Sequence, residues 1–152
     1  MPKPSLCCIG VDPGQRGGIS ILNVPGNIVG CFKFANRTEH EIAEFIRTKC
    51  SPGHFKAALE KVHSMPQQGV ASSFKFGMGY GFVRGLLVAY QIPFVEVTPQ
   101  TWQKAMGCLT KGDKSVSRKA AHRRWPKDAP SIDDHLADSL LIAEWLRTSG
   151  AL

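Results

Sequence analysis

The chain has 152 residues, of which 43% are hydrophobic and 20% charged, and its formal net charge is +7. This length predicts one domain over 1–152, and no apolar run approaches the ~18 residues that a membrane-spanning helix needs. The five cysteines lack paired spacing, which excludes a disulfide scaffold and a C-x-x-C zinc site and favours a reducing, cytoplasmic location.

Three short apolar runs open the chain, and turn residues separate them. Leu6 to Val11 ends at Asp12-Pro13-Gly14, Ile19 to Val24 ends at Pro25-Gly26-Asn27, and the third run covers 28–34. Because proline and glycine interrupt a ladder of hydrogen bonds and favour turns, we predict three consecutive strands in a meander.

Helices and strands alternate after this meander. Thr38 and Glu41 have the spacing of a capping box and apolar residues follow at helical intervals, which predicts a helix over 39–49. The next predicted elements are a strand over 55–62, a helix over 70–90 and a strand over 92–97.

The last third of the chain is predicted to be helical. Thr98-Pro99 combines an N-cap with proline at the first helical position and starts a short helix, and Asp113 caps a second helix. Ser131-Ile132-Asp133-Asp134 has capping-box-like spacing and opens a final helix to about residue 147. The order β-β-β-α-β-α-β-α-α-α predicts an α/β fold, a mixed five-stranded sheet with helices on both faces.

Two acids stand at or near the ends of predicted strands. Asp12 lies where an apolar strand gives way to a loop, a common place for active-site groups in α/β folds. Glu60 interrupts an otherwise strand-like run. Turn chemistry also explains Asp12, and period-two alternation toward solvent also explains Glu60.

A second pair of acids opens the final predicted helix. Asp134 and Asp138 are spaced i, i+4 and therefore lie on one helical face. Like charges at this spacing repel, whereas a bound divalent cation would turn the repulsion into ligation. Interaction with the helix dipole explains Asp134 but not Asp138, which lies one turn further in. His135 is a candidate ligand or proton donor, or a surface residue on another face.

Four hard oxygen donors on two strands and a helix favour Mg²⁺, with Mn²⁺ as a substitute, over zinc. A pair of such ions about 4 Å apart can activate a water and stabilise the leaving oxygen in phosphodiester cleavage. The predicted metal ligands are Asp12, Glu60, Asp134 and Asp138, and the predicted catalytic residues are the same acids with His135.

Positive charge is concentrated in one stretch of the chain. Between Lys104 and Lys127 there are eight basic residues and one acid, Asp113. Such a block favours a polyanion, with nucleic acid the leading candidate, although a solvated basic face has the same composition. The residues predicted to follow a DNA backbone are Lys111, Lys114, Arg118 and Lys119.

The acids stand in three short motifs, and two further segments lie between them. The motifs are Gly10-Val11-Asp12-Pro13-Gly14, Leu59-Glu60-Lys61 and the stretch 133–141; the segments are 65–77 and Thr98-Pro99-Gln100-Thr101-Trp102. Together they resemble the RuvC-like Holliday junction resolvases, and the two segments are similar to the phage and plant-chloroplast branch. The resemblance covers about residues 8–146.

The resemblance implies an RNase H-like fold and a homodimer that binds a four-way DNA junction. It implies a Mg²⁺-dependent endonuclease of DNA recombination and repair that makes two symmetric nicks, and it allows a branch-migration helicase as a partner. A cytoplasmic, nucleoid-associated protein is expected, with phage, bacterial and organellar origins all left open.

The resemblance also assigns the acids. Asp12 and Glu60 match the family's first two catalytic acids. The third motif matches in two registers. The phage and chloroplast pattern D-x-x-x-[DE] uses Asp134 and Asp138, and the bacterial pattern [DH]-x-x-D uses His135 and Asp138.

The loop after Glu60 and the helix that follows contain the other DNA-binding candidates. Gln67 and Gln68 can read or support bases at an opened junction, and Phe76 can stack on them. Lys75 is a candidate for phosphate contact, whereas Phe74 is expected to pack in the core.

Gly77, Gly81 and Gly85 form an i, i+4, i+8 stripe in the predicted helix. Each glycine costs roughly 1 kcal/mol relative to alanine in a helix interior, so the stripe needs a reason. It allows close approach either of a second subunit or of the protein's own sheet, and the dimer of the resembled family favours the second subunit.

Two other interpretations fit the same acids. Another RNase H-like nuclease, acting on RNA or an RNA–DNA hybrid, would share the carboxylates but not the segment 65–77. A non-catalytic junction-binding protein is the alternative from a different class, and the intact acids argue against it.

Overall fold

The computed structural model describes residues 5–62 and 67–151. Its five strands form one mixed sheet in the order β3-β2-β1-β4-β5. Strand β2 is antiparallel to both β1 and β3, whereas β4 and β5 run parallel to β1. The strands are β1 (Cys7–Asp12), β2 (Gly18–Leu22), β3 (Ile28–Lys33), β4 (Phe55–Glu60) and β5 (Phe94–Val97). The predicted meander and the mixed five-stranded sheet are confirmed.

Five α-helices and one short 3₁₀ helix lie within the described ranges. They are α1 (Glu39–Lys49), α2 (Val70–Ala89), α3 (Pro99–Ala105), α4 (Lys114–Arg124) and α5 (Asp134–Ser149), with the 3₁₀ helix at Ala129–Ser131. The predicted order of helices and strands is confirmed, and the added 3₁₀ turn occupies the connection between α4 and α5.

Capping residues set the helix starts largely as predicted. Thr38 forms a full capping box with Glu41, and the carboxylate of Asp113 accepts from the amide of Ser115 at 2.9 Å. The predicted capping box at Ser131 is wrong, because Ser131 ends the 3₁₀ helix. Asp133 is the N-cap of α5 instead, and its carboxylate accepts from two backbone amides of the first helical turn.

Each face of the sheet carries its own hydrophobic core. On one face, α5 crosses β1 and β2, and the buried residues of this core include Trp102 of α3 and Ala120 of α4. On the other face, α1 and α2 bury side chains such as Ile46 and Leu87 against β1, β2 and β4. Helices therefore cover both faces, as predicted. In the described part of the chain, no helix has the length and apolar character needed to cross a membrane.

A close contact between α5 and β1 fixes the position of the later site. A Cβ atom on Gly10 would overlap the backbone carbonyl oxygen of Ser139, so only glycine allows this approach. The hydroxyl groups of Ser20 and Ser139 lie 2.6 Å apart in the same buried layer. The first turns of α5 are thereby held directly against the carboxyl end of β1.

Candidate active site

Asp12 and Glu60 end two neighbouring parallel strands. Val11 pairs with Leu59 one residue earlier, so the two acids come next in register at the same edge of the sheet. Side chains alternate between the two faces of a strand, and Gly10, two residues before Asp12, faces α5. Asp12 therefore points toward α5, and Glu60 lies beside it on the adjacent strand.

Asp138 brings a third carboxylate to this edge from α5. Its side chain is only 7% exposed, although it lies near the start of the helix. The charge of Asp138 raises the pKa values of both Asp12 and Glu60. The three side chains form one group of interacting carboxylates, called the acid cluster below.

Burial makes charge unfavourable within the acid cluster. Burial and the neighbouring Asp138 raise the pKa of Asp12, against the opposing hydrogen bond from the Gly14 amide at 3.2 Å. Burial and the charge of Asp12 raise the pKa of Glu60 from 4.5 to about 8. A hydrogen bond of 2.6 Å from the indole Nε1 of Trp102 holds Glu60 Oε2 and opposes that rise.

Two basic residues of α4 reach the acids of α5. Lys114 Nζ lies 3.0 Å from Asp138 Oδ2, and Arg118 Nη1 lies 2.8 Å from Asp134 Oδ1. Burial lowers the pKa of Lys114, but Asp138 and the rest of the acid cluster outweigh it, so the net shift is upward. Lys114 and Arg118 were predicted to contact the DNA backbone, and in the structure they form ion pairs with two of the predicted catalytic acids.

The two candidates for the third motif have different surroundings. Asp134 is 44% exposed and paired with Arg118, and it is not among the groups that shift the pKa values of Asp12 or Glu60. His135 lowers the pKa of Asp12 through its charge. Within the described residues, His135 Nδ1 and Asp138 Oδ1 are buried side-chain atoms without a hydrogen-bond partner. The charge of His135 therefore acts on the acid cluster, whereas the charge of Asp134 is balanced by Arg118.

As the side chains stand, the described residues contain no group of three or more His, Cys, Asp or Glu arranged to hold a metal ion. Lys114 contacts one oxygen of Asp138 while the other oxygen has no partner, and Trp102 holds one oxygen of Glu60. The carboxylates are nevertheless close enough for the charge of one to raise the pKa of another.

Comparisons with known proteins bear on the fold. Protein-family models and curated protein sequences gave no match. Among solved structures, Thermus thermophilus RuvC in complex with a Holliday junction substrate has a TM-score of 0.69 at 18% identity, over 91% of this chain and 90% of that chain. A second structure of T. thermophilus RuvC has a TM-score of 0.63 at 20% identity, over 95% and 97%. This chain has the RuvC fold. The RNase H-like fold expected from the sequence is confirmed.

The basic residues between Lys104 and Lys127 include some that form ion pairs and others that are exposed. Lys114 and Arg118 form the ion pairs just described, whereas Lys111 and Lys119 are exposed. Asp113 between them caps α4. Basic side chains of α4 and of the loop before it therefore lie next to the acids of α5.

The four DNA-binding residues predicted after Glu60 lie within the described residues, whereas the start of the segment 65–77, at 65 and 66, lies outside them. Gln67 is exposed and Gln68 half-buried, both just before α2. Lys75 is exposed, Phe76 is half-buried, and both line a cavity beside the Asp12 loop.

The outward face of α2 differs from expectation in one respect. Phe74, expected in the core, is 69% exposed, because it lies on the side of α2 that faces away from the sheet. Gly77, Gly81 and Gly85 lie on that side too, and a Cβ added to any of them would meet no described atom within 4 Å. Packing of the glycine stripe on the protein's own sheet, one of the two interpretations, is therefore wrong.

Sequence reasoning missed two residues at the site. Trp102 was predicted as part of a short helix and of a segment that carries the resemblance, without a role at the site. Its indole is fully buried and donates a hydrogen bond to Glu60. Lys114 was assigned to DNA and not to the acids. The cap at Thr98-Pro99 locates the start of α3, but helical spacing alone does not reveal which strand end Trp102 faces.

Proposed function

We propose that this protein is a metal-dependent endonuclease that resolves four-way DNA junctions by two symmetric phosphodiester hydrolyses. The observation that carries the proposal is the acid cluster, in which Asp12, Glu60 and Asp138 meet at one sheet edge beside a cationic helix. The similarity to the fold of a RuvC solved with a Holliday junction substrate supports the choice of DNA substrate.

The donor set fits Mg²⁺ or Mn²⁺. All three cluster members offer carboxylate oxygens, and the buried Asp138 Oδ1 has no partner among the described residues. Asp12, Glu60 and Asp138 would hold the metal, with His135 or Asp134 completing the site. The chemistry that such ions would supply is activation of a water for attack and stabilisation of the leaving oxygen.

The surrounding residues prepare these ligands. Trp102 holds one oxygen of Glu60 and leaves the other available, and the Gly14 amide orients Asp12 in the same way. Lys114 offsets part of the negative charge of the acid cluster. Its ammonium group lies 3.0 Å from Asp138 Oδ2, and we assign it to contact with the scissile phosphate.

For the third motif we propose the register that uses His135 and Asp138. Asp138 belongs to both registers, and His135 carries a buried ring nitrogen without a described partner. Asp134 is instead held by Arg118 at 2.8 Å. An Asp134→Asn variant is expected to retain most of the activity that a His135→Ala variant loses.

A homodimer through α2 is the second part of the proposal. Phe74, Met78 and Val88 are exposed apolar side chains on the face of α2 that carries the glycine stripe. A smooth apolar face on a 20-residue helix fits the same face of a second copy, which would bury it. Two copies supply the two active sites that paired nicks require. A helicase partner and association with the nucleoid would follow from this function.

Substrate comparison tests the proposed activity. We expect the protein with Mg²⁺ to cut a synthetic four-way junction and to leave an RNA–DNA hybrid and a structured RNA intact. Asp138→Asn should lower the junction cleavage rate by more than about 100-fold, because even residues that only support metal ligands contribute ~10–100-fold.

Asp128→Asn is the matched control, since Asp128 is an exposed acid before the 3₁₀ helix and should be neutral. Cleavage of the hybrid in preference to the junction would assign the protein to another RNase H-like activity. Tight junction binding without cleavage under either metal would indicate a non-catalytic binding protein.

A further inference from the structure

A cavity of about 620 Å³ opens beside the acid cluster, on the α1–α2 side of the sheet. The loop after Asp12, the connection between β3 and α1, and the middle of α2 form its walls. Ligand pockets in proteins span about 300–1,000 Å³, so this volume is in the range of one small organic group. Neither the metal site nor the basic helix α4 uses it.

Aromatic rings line the interior. Phe34 is buried at the end of β3, and Phe76 and Phe82 of α2 are half-buried, so their exposed portions contribute to the cavity surface. Flat aromatic surfaces in a water-accessible cavity suit a planar ring, and a nucleobase stacks on them without regard to its hydrogen-bonding edge.

Cations surround this aromatic surface. Arg16, Arg37 and Lys75 line the cavity, and Glu39 is the acid among the lining residues. Arg37 is paired with Glu41 at 3.4 Å, whereas Arg16 and Lys75 have no ion pair within the described residues. Two unpaired cations beside aromatic rings are the combination that binds a base together with its phosphate.

The cavity is linked directly to the acid cluster. Gly14 lines the cavity, and its amide donates to Asp12 Oδ1 at 3.2 Å. Pro13 lines it too, and its carbonyl oxygen is close to Gly79 of α2. The cavity therefore adjoins the loop whose backbone amide orients Asp12.

We infer that this cavity binds one unstacked nucleotide of the DNA beside the loop that follows Asp12, with its base on Phe76 and Phe82 and its phosphate at Arg16 and Lys75. The inference rests on the proposed nuclease function and adds a specificity site to it. An opened junction supplies such a nucleotide, because bases at the exchange point lose stacking partners. The identity of the base held there would bias where the strand is cut.

Photo-crosslinking locates the nucleotide. A four-way junction carries 5-iodo-2′-deoxyuridine at one position at a time, within three nucleotides on either side of the mapped nick, and is bound in EDTA so that it stays intact. We expect one or two positions to crosslink to the peptide that contains Phe76 and Phe82. Phe76→Leu should lower that yield while keeping an apolar side chain at this half-buried position.

Affinity and cleavage give an independent readout. The double variant Arg16→Gln, Lys75→Gln should bind the junction about tenfold more weakly and cut with less discrimination between flanking sequences, as expected for lost base and phosphate contacts. The control is Lys49→Gln, an exposed lysine at the far end of α1, about 15 Å along the helix from Glu39. It should leave both quantities unchanged.

The outcomes separate this inference from the proposed function. Junction cleavage together with crosslinks only to other segments, and unaltered sequence discrimination in the double variant, would overturn the cavity assignment and leave the nuclease intact. Absence of junction binding would overturn both. Protection of Lys75 from acetylation at high protein concentration without DNA would assign the cavity to a second copy of the chain and would also overturn the inference.

Discussion

Asp12 and Glu60 are carboxylates held beside one another and beside Asp138 at the buried end of the sheet. Burial raises the pKa values of Asp12 and Glu60, and the neighbouring carboxylates raise them further. Without metal, a proton on the cluster and the ammonium group of Lys114 relieve the repulsion. Since metal ligation requires the charged carboxylates, protons and metal ions should compete for the same groups.

This competition predicts the pH dependence of stability. The pKa of Glu60 is about 8 in the folded protein against 4.5 as the ordinary value, so the folded state binds the proton more tightly than the unfolded state. In EDTA, the free energy of unfolding should therefore fall as pH rises from about 4.5 to about 8, by at most about 1.4 kcal/mol per pH unit for one proton. Urea unfolding at several pH values measures this slope.

Glu60→Gln should flatten that slope, and Mg²⁺ should stabilise the wild-type protein more at the upper end of the range than at the lower end. Glu39→Gln, at an exposed acid at the start of α1, is the control and should keep the wild-type slope. A wild-type slope of zero in EDTA, or the same slope in Glu60→Gln, would show that Glu60 does not hold the proton.

Among the helices, α5 and α2 have different roles. α5 is buried along most of its length and brings Asp138 to the sheet, a position that Gly10 makes accessible. α2 buries Val83 and Leu87 against the sheet and leaves its apolar outer face open. The first helix builds the site, and we assign the second to the dimer.

The variant Gly81→Leu tests the dimer assignment through two measurements, the stability of the fold and the oligomeric state. An added side chain at Gly81 meets no described atom in the single chain, and leucine favours a helix over glycine by about 0.5–1 kcal/mol. The variant should therefore fold at least as stably as the wild type. It should nevertheless sediment as a monomer, because the side chain prevents close approach of two α2 helices.

Ser72→Leu is the control, because Ser72 is an exposed residue of α2 on a different side from the stripe. It should leave the dimer unchanged. A Gly81→Leu protein that dimerises as the wild type does would rule out this face as the interface.

The basic helix makes a separate prediction. Lys111 and Lys119 are exposed beside the paired Lys114 and Arg118, so they are the residues of this block most available to phosphates. Lys111→Gln with Lys119→Gln should reduce the slope of log affinity against log salt by about 2, at ~0.9 per lost phosphate contact. Junction binding in EDTA over a range of salt concentrations measures it. An unchanged slope would place the DNA on another surface.

The sequence was sufficient for the order of elements and for all three acids of the cluster. Asp12 and Glu60 follow apolar strand runs, and parallel neighbours end at the same sheet edge. It was insufficient for Phe74, because α2 carries apolar residues all round and its pattern does not mark the buried side. The sequence alone did not decide whether Asp134 or His135 belongs to the third motif, and it did not predict the ion pair between Lys114 and Asp138. Both depend on how α4 packs against α5.

For the whole molecule, the proposal joins an acid cluster, a cationic helix, an apolar helix face and a nucleotide-sized cavity around one end of the sheet. In a dimer through α2, each copy would present one acid cluster to the same DNA. This arrangement requires two cuts related by the symmetry of the dimer. Paired cutting is thus the property that separates a junction resolvase from a nuclease that acts as a single chain.

The most direct test maps nicks on a synthetic four-way junction whose strands are labelled one at a time, incubated with Mg²⁺ or Mn²⁺. If the protein is a dimeric junction resolvase, we expect paired nicks at symmetric positions on two opposing strands, with ends that a ligase can rejoin. A nick on one strand only, or equal cutting of a simple duplex of the same sequence, would contradict it.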